Sequence, residues 1–437
     1  MSRPNPGFPC LPRQFLLLVL AMPCALPVYA GVAPARLEEL EALVLASEPG
    51  ALAREARSRA LAESAVAARA LPDPELELGL MSIPVGGLAR DIEPMSQIGV
   101  GLRQRFPAGR SLAAEGDAIA AESSGEAYGA QAQRELARRE LRSAWVEWLY
   151  WRDSVVLLEE QQKLLAGLLS AREAAWAGAA DSREDTLGLA LAQERLGAEI
   201  AMARGEARAE WSRLGRWLPE PMDPAPEAEW PRWSLAQFGA DAPATALAPR
   251  LVEHPAIRAL AEQVQAREFD TEAAREAYRP EWGLSLEYGA RPGETRDGMP
   301  LDDLYSARVS VALPLFPADR QDRRLAAARE NREAARADRD AALRRLRAEL
   351  ERELAESAQI EERLKRYSSR LLPLAREAVI GAEAAYAAAA REPQAWYRAR
   401  ETELALRRES LRLEADRLRS LARIAWLLPD RHTEAAP

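Results

Sequence analysis

The chain repeats itself, and the repeat keeps its spacing. Ser47-Glu48-Pro49 is matched by Glu253-His254-Pro255, and Pro74 in Leu71-Pro72-Asp73-Pro74-Glu75 by Pro280 in Tyr278-Arg279-Pro280-Glu281, both at an offset of 206 residues. Phe106-Pro107 is matched by Phe316-Pro317, and Glu173-Ala174-Ala175-Trp176-Ala177 by Glu383-Ala384-Ala385-Tyr386-Ala387, both at an offset of 210. Two copies of one supersecondary plan therefore lie in tandem. Only the stretch between the second and third landmarks changes length, by four residues. A surface loop is expected there, because surface loops tolerate insertion. The halves occupy residues 31–217 and 250–428, joined by the Pro-rich stretch 218–249 and followed by a tail, 429–437.

After each Phe-Pro the apolar residues step by three and four, the spacing of a helix packed along others. In the first half the series is Leu141, Ala144, Trp148, Trp151, Val155, Leu158, Gln162, Leu165 and Leu169. In the second it is Leu343, Leu346, Leu350, Ser357, Ile360, Leu364, Tyr367, Leu371 and Leu374, with the polar Glu353 interrupting. A helix of nearly 70 residues is about 100 Å long, too long for a compact domain, so it belongs to a coiled coil or a tube wall. Alanines such as those in Leu325-Ala326-Ala327-Ala328 suit close packing at the seam. Pro373 either kinks the second long helix or marks its end near Arg370; the repeat spacing favours continuation. Trp145, Trp148 and Trp151 sit about 60 Å along the first long helix, which places them in a helical core rather than at a membrane interface.

Before each long helix lie two segments of period two, strands at about 74–86 and 95–106, then at about 280–290 and 304–316. Trp282, Leu284, Leu286 and Tyr288 share one face, with Val309 and Val311 on the partner; Glu281, Ser285 and Glu287 share the other. Apolar and charged residues alternate in this way in a barrel wall between lipid and water, and also in a half-buried soluble sheet. Counted back from Phe-Pro, the apolar phase of the two halves differs by one residue, which a bulge would explain. Four strands cannot close a barrel, and an open edge cannot face lipid. A transmembrane reading thus requires an oligomer; three copies supply twelve strands, enough for a pore.

The N-terminus has Arg3 and Arg13, an apolar run from Phe15 to Met22, and Val28-Tyr29-Ala30, the order of a secretory signal peptide over residues 1–30. Cys10 and Cys24 both lie within it, and Pro23 and Met22 fit a lipoprotein site at Cys24 poorly. Without that leader the chain has no thiol, and its only histidines are His254 and His432. No metal centre, cofactor or nucleophile–base pair is expected, and an enzyme is rejected. The formal charge is −9, or −11 without the leader's two arginines, which argues against nucleic acid as a partner.

These landmarks resemble the TolC family of outer-membrane efflux proteins over nearly the whole mature chain. They include Leu71-Pro72-Asp73-Pro74, Gln104-Arg105-Phe106-Pro107, His254-Pro255, Arg279-Pro280, Pro314-Leu315-Phe316-Pro317 and the two Glu-Ala-Ala-aromatic sites. The Leu-Pro-Asp-Pro and Gln-x-Phe-Pro pair looks most like the branch serving heavy-metal pumps of the resistance-nodulation-division type. The resemblance implies a mainly α fold with a β-barrel part: a homotrimer whose twelve-stranded barrel spans the outer membrane of a Gram-negative bacterium. A periplasmic helical tube would reach an adaptor protein and an inner-membrane pump. It puts lipid against Trp282, Leu284, Leu286, Tyr288, Val309 and Val311. It makes Gly178, Ala179, Asp181, Ala389, Arg391 and Glu392 adaptor-contacting tips, and Asp181, Glu184 and Asp185 acidic groups near the entrance. The implied function is passive efflux, with metal cations as one cargo and a type I secretion or drug efflux duct as the alternative. Rival readings are a periplasmic adaptor, which would carry a single hairpin, and a soluble coiled-coil scaffold.

Overall fold

The computed structural model describes residues 37–82, 95–177, 183–217, 228–295, 297–388 and 393–429. The leader at 1–30 and most of the tail lie outside these. The first half runs α1 (Leu37–Ser47), α2 (Pro49–Arg69), β1 (Glu75–Met81), β2 (Gln97–Phe106), α3 (Ser111–Ala177) and α4 (Arg183–Leu214). A short α5 (Ala244–Leu247) precedes the second half, which has α6 (Pro255–Glu276), β3 (Glu281–Ala290), β4 (Leu304–Ala312), α7 (Gln321–Arg366), α8 (Leu372–Ala387) and α9 (Pro393–Leu427).

The paired prolines open equivalent helices. Pro49 and Pro255 stand at the first helical position, where the missing N–H costs nothing and the fixed φ suits the helix. The residue before each one caps it. The Glu48 carboxylate accepts from Ala51 N–H, and His254 Nδ1 accepts from Ala256 N–H at 3.2 Å.

α3 is 67 residues long, about 100 Å. Its counterpart does not end near Arg370. A π-helical turn, Tyr367–Leu371, joins α7 to α8, so the helix continues to Ala387, offset by 210 from the end of α3. Pro373 brings no N–H and its ring crowds the preceding turn. The backbone yields there by widening, with Leu372 N–H reaching back to Tyr367 O, and one turn earlier Ser369 Oγ donates to Lys365 O at 2.6 Å.

Each strand is continued by one helix: α2 leads into β1, β2 into α3, α6 into β3 and β4 into α7. These four helices pack side by side in the order α2, α3, α6, α7. Gly116 lets α2 come close to α3, since a Cβ there would meet Ala65 O at 2.9 Å. Farther from the sheet, α3 contacts α4 and α9, and α9 contacts α8. Glu353, the polar break in the second heptad series, is fully buried against α9, accepting from Ser420 Oγ at 3.1 Å and Arg423 at 3.1 Å. Ala326 and Ala327 are exposed and are no seam within one chain.

The core is thickest where the repeat junction wraps the long helices. Trp145 and Trp148 are buried with Leu40 and Val44 of α1, and Trp151 is half-buried. The two indoles stand 5.2 Å apart, and Trp211 of α4 lies 4.8 Å from Trp148. The described part of the Pro-rich stretch belongs to this core: Phe238, Ala240 and Leu247 are buried, with Trp230 and Trp233 packed beside them.

Candidate functional site

The four strands form one antiparallel sheet in the order β1-β2-β3-β4, so the two hairpins pair with each other through β2 and β3. The cross-strand rows are Leu78↔Val100↔Tyr288↔Tyr305 and Leu76↔Leu102↔Leu286↔Ala307, then Gln104↔Leu284↔Val309 and Phe106↔Trp282↔Val311. Apart from Gln104 that face is apolar across all four strands. Trp282, Leu284, Leu286, Tyr288, Val309 and Val311 all lie on it, and all are exposed, as are Leu76, Leu78, Leu80, Val100 and Leu102. An apolar area of this extent facing water is rare in a soluble monomer and marks an interaction surface.

The opposite face is polar. Glu75, Glu77, Arg103, Arg105, Ser285, Glu287, Arg308 and several glycines occupy it, in the rows Glu75↔Arg103↔Ser285↔Arg308 and Glu77↔Gly101↔Glu287↔Ser306. Arg105 pairs with Glu75 at 2.9 Å and Arg103 approaches Glu77 at 3.6 Å. β2 and β3, of 10 residues each, are long enough to cross the hydrocarbon layer when tilted.

The ladder contains no bulge. All three registers run without an insertion, and the phase difference arises after the strand instead. β4 stops at Ala312, short of residue 316. Leu315 N–H then closes a tight turn on Leu313 O at 2.9 Å, around Pro314, which has no N–H to offer a ladder. Phe106 still pairs with Trp282, whereas Phe316 is beyond the sheet and 88% exposed.

The motifs that stand apart in sequence meet at the sheet–helix junction. Gln104 Nε2 donates to Pro72 O at 2.8 Å, tying Gln-x-Phe-Pro to Leu-Pro-Asp-Pro. Arg110 N–H donates to the Glu276 carboxylate at 2.8 Å, and Arg279 pairs with the same group at 3.1 Å. Tyr278 Oη donates to Asp322 at 2.5 Å. The end of α6 is thereby fastened to the starts of both long helices. Gly109 makes room for this: its φ is +53°, and a Cβ there would fall on the Glu276 carboxylate. Sequence reasoning passed over Glu276 and Asp322; their only signal was a charge just beside each repeated landmark.

Gly178, Ala179, Asp181, Ala389, Arg391 and Glu392 lie outside the described residues. Glu184 and Asp185 fall in the first turn of α4, where only the backbone is described. The helices leading there are joined by charge: Arg412 of α9 meets Glu147 of α3 at 2.8 Å, and Arg408 meets Glu199 of α4 at 3.1 Å. Among the described residues no group of three or more His, Cys, Asp or Glu is placed to hold a metal, and no helix is long and apolar enough to cross a membrane. In the helical core, burial raises the carboxyl pKa values of Glu135 and Glu210 and lowers that of His254 to about 4.

Residues 249–428 match the outer membrane efflux protein family. No curated protein matches the sequence significantly. Among solved structures the fold is similar to a membrane protein from Pseudomonas aeruginosa (19% identity, 90% of each chain covered, TM-score 0.71). It is similar to the channel CusC (14% identity, 90% of this chain and 92% of that one, TM-score 0.71). It is also similar to the outer-membrane channel CmeC of Campylobacter jejuni (12% identity, 90% and 85%, TM-score 0.72).

Proposed function

From a chain whose residues 249–428 belong to the outer membrane efflux protein family, a family of channels rather than enzymes, and whose fold is that of TolC-like channels, we propose a homotrimeric outer-membrane duct serving a tripartite efflux system. The observation that carries this reading is the sheet. It is apolar across one face and charged across the other, has two free edges, and continues strand by strand into long helices. Free edges cannot face lipid, and three copies close twelve strands into a pore. The edges are complementary on the polar face, with Glu75 and Glu77 on β1 and Arg308 on β4. The apolar face then meets lipid and the charged face lines the lumen. The helices extend into the periplasm, where the segments around Gly178, Ala179 and Asp181 and around Ala389, Arg391 and Glu392 dock an adaptor that connects to an inner-membrane pump. Asp181, Glu184 and Asp185 make the entrance acidic. Transport is passive, with energy supplied by the pump.

Metal cations are the cargo favoured by the resemblance of Leu71-Pro72-Asp73-Pro74 and Gln104-Arg105-Phe106-Pro107 to the heavy-metal branch. A drug-efflux or type I secretion duct is the second reading; a duct need not bind what it conducts, so the described residues' lack of a metal-ligating cluster does not choose between them.

The test compares two neighbours on β3. Leu284→Arg puts a charge on the apolar face at a cost of about 2–4 kcal/mol near the bilayer midplane and should abolish the heat-sensitive trimer on unheated gels of outer membranes. Ser285→Arg, on the charged face, should leave the trimer intact. Equal behaviour of the two variants would reverse the facing of the sheet, and a soluble periplasmic wild type would end the barrel reading.

A further inference from the structure

The junction core contains a small, partly open cavity of about 40 Å³ between α3 and the end of α9. Three arginines of α3, Arg138, Arg139 and Arg142, line it with Glu135, Phe238 and Trp426. Only two carboxylates serve the three guanidinium groups. Glu135 takes both its bonds from Arg138 Nη1, at 2.8 and 3.0 Å. Glu41 takes two from Arg142, at 2.6 and 2.8 Å. Arg139 lies over the Trp426 indole at 4.5 Å, and no carboxylate among the described residues pairs with it. One positive charge is therefore left over in a half-buried site.

Two donors at this cavity are also unsatisfied. Arg138 Nε and Trp426 Nε1 are both buried without a hydrogen-bond acceptor; the Glu41 carboxylate stands 3.9 Å from the former. Buried N–H groups are rarely left this way, and such an orphan calls for an explanation. The carbonyl end of α9 is not the missing partner, since Trp426 O bonds His254 at 3.2 Å and Leu428 O bonds Arg250 at 3.5 Å. The uncompensated charge of Arg139 favours an anion, which only accepts, over a neutral water molecule, which would bring two donors of its own. The room suits one monatomic ion.

We propose that this cavity is a binding site for a small monovalent anion of the halide class, which bridges the arginines of α3 to the indole of α9. The site is independent of what the channel conducts. It would hold the end of the second half against the long helix of the first, in the layer where the repeat junction is packed.

The test uses the full-length protein in detergent, unfolded in sodium chloride, bromide or gluconate at one ionic strength. Chloride and bromide should raise the unfolding midpoint saturably over gluconate, as a ligand specific to the folded state does. Arg139→Gln should lose that difference. Trp426→Phe, which keeps an aromatic ring but deletes the indole N–H, should weaken bromide at least about tenfold, the loss expected for one hydrogen bond. Crystals grown in bromide should show an anomalous peak within hydrogen-bonding reach of Arg138 Nε and Trp426 Nε1. If Arg139→Gln does not fold, the bromide peak in the wild type decides. Equal midpoints in chloride and gluconate, or a cavity without anomalous density, would overturn the proposal.

Discussion

Lowering the pH from 7 to 5 should destabilise the helical core through a single residue, His254. Its ring serves two bonds at once. Nδ1 accepts from Ala256 N–H at 3.2 Å, capping α6, and Nε2–H donates to Trp426 O at 3.2 Å, joining the start of α6 to the end of α9. Only the neutral ring can do both, because protonation would turn the capping acceptor into a second donor. The side chain is fully buried, and that burial lowers its pKa from 6.5 to about 4. The unfolded chain therefore takes up this proton first. The contribution is complete above about pH 6.5 and is lost as the pH falls towards about 4. The whole shift corresponds to roughly 3 kcal/mol, of which about 2 kcal/mol is gone by pH 5. Glu135 and Glu210 act in the opposite sense, since burial raises their pKa values and protonation of these two favours the fold. The effect must be isolated as a difference. Denaturant midpoints of wild type and His254→Asn, which keeps a capping acceptor, would be compared at pH 7 and pH 5. The advantage of the wild type should shrink by about 2 kcal/mol. An advantage that stays constant between the two pH values would refute the assignment of a neutral, doubly bonded ring.

Three further substitutions probe the junction and the seam. Gly109→Ala forces a side chain into left-handed backbone and onto the Glu276 carboxylate, and should cost at least about 1–2 kcal/mol in unfolding experiments. Gln104→Leu removes the donor to Pro72 O but leaves the apolar face apolar; a loss of about 1 kcal/mol with the gel-stable oligomer retained is expected. Glu353→Gln weakens the buried acceptor of Ser420 and Arg423 and should cost about 1–3 kcal/mol, seen as a lower thermal midpoint of the helical signal.

Much of this molecule is legible in one dimension because its regularities are local. Heptad spacing depends only on the pitch of a helix, so the series around Leu141 and Leu346 could be read without knowing what they pack against. Period two depends only on the pleat, so Trp282, Leu284, Leu286 and Tyr288 could be placed on one face before any partner strand was known. The offsets of 206 and 210 carried the element order of one half onto the other. Where chains of local rules met a choice, the outcome was decided by contacts between distant residues. Pro373 was compatible with a helix end or a distorted helix, and packing along α9 holds the distorted one together. The phase difference before Phe316 suggested a bulge, yet it lies past the last ladder pair, because where a strand stops depends on its neighbour. Ala326 and Ala327 had the size for a seam, but both stay exposed within the chain.

The sequence by itself determined which segments are helices and strands and which faces are apolar, since those follow from a few consecutive residues. Only the tertiary structure decided that Gln104 would meet Pro72, that Glu276 and Tyr278 would fasten the end of α6 to both long helices, and that three arginines would meet only two carboxylates beside Trp426. Each of those groups is assembled from residues tens to hundreds of positions apart, and a charge shows its partners only when the chain has brought them within bonding distance.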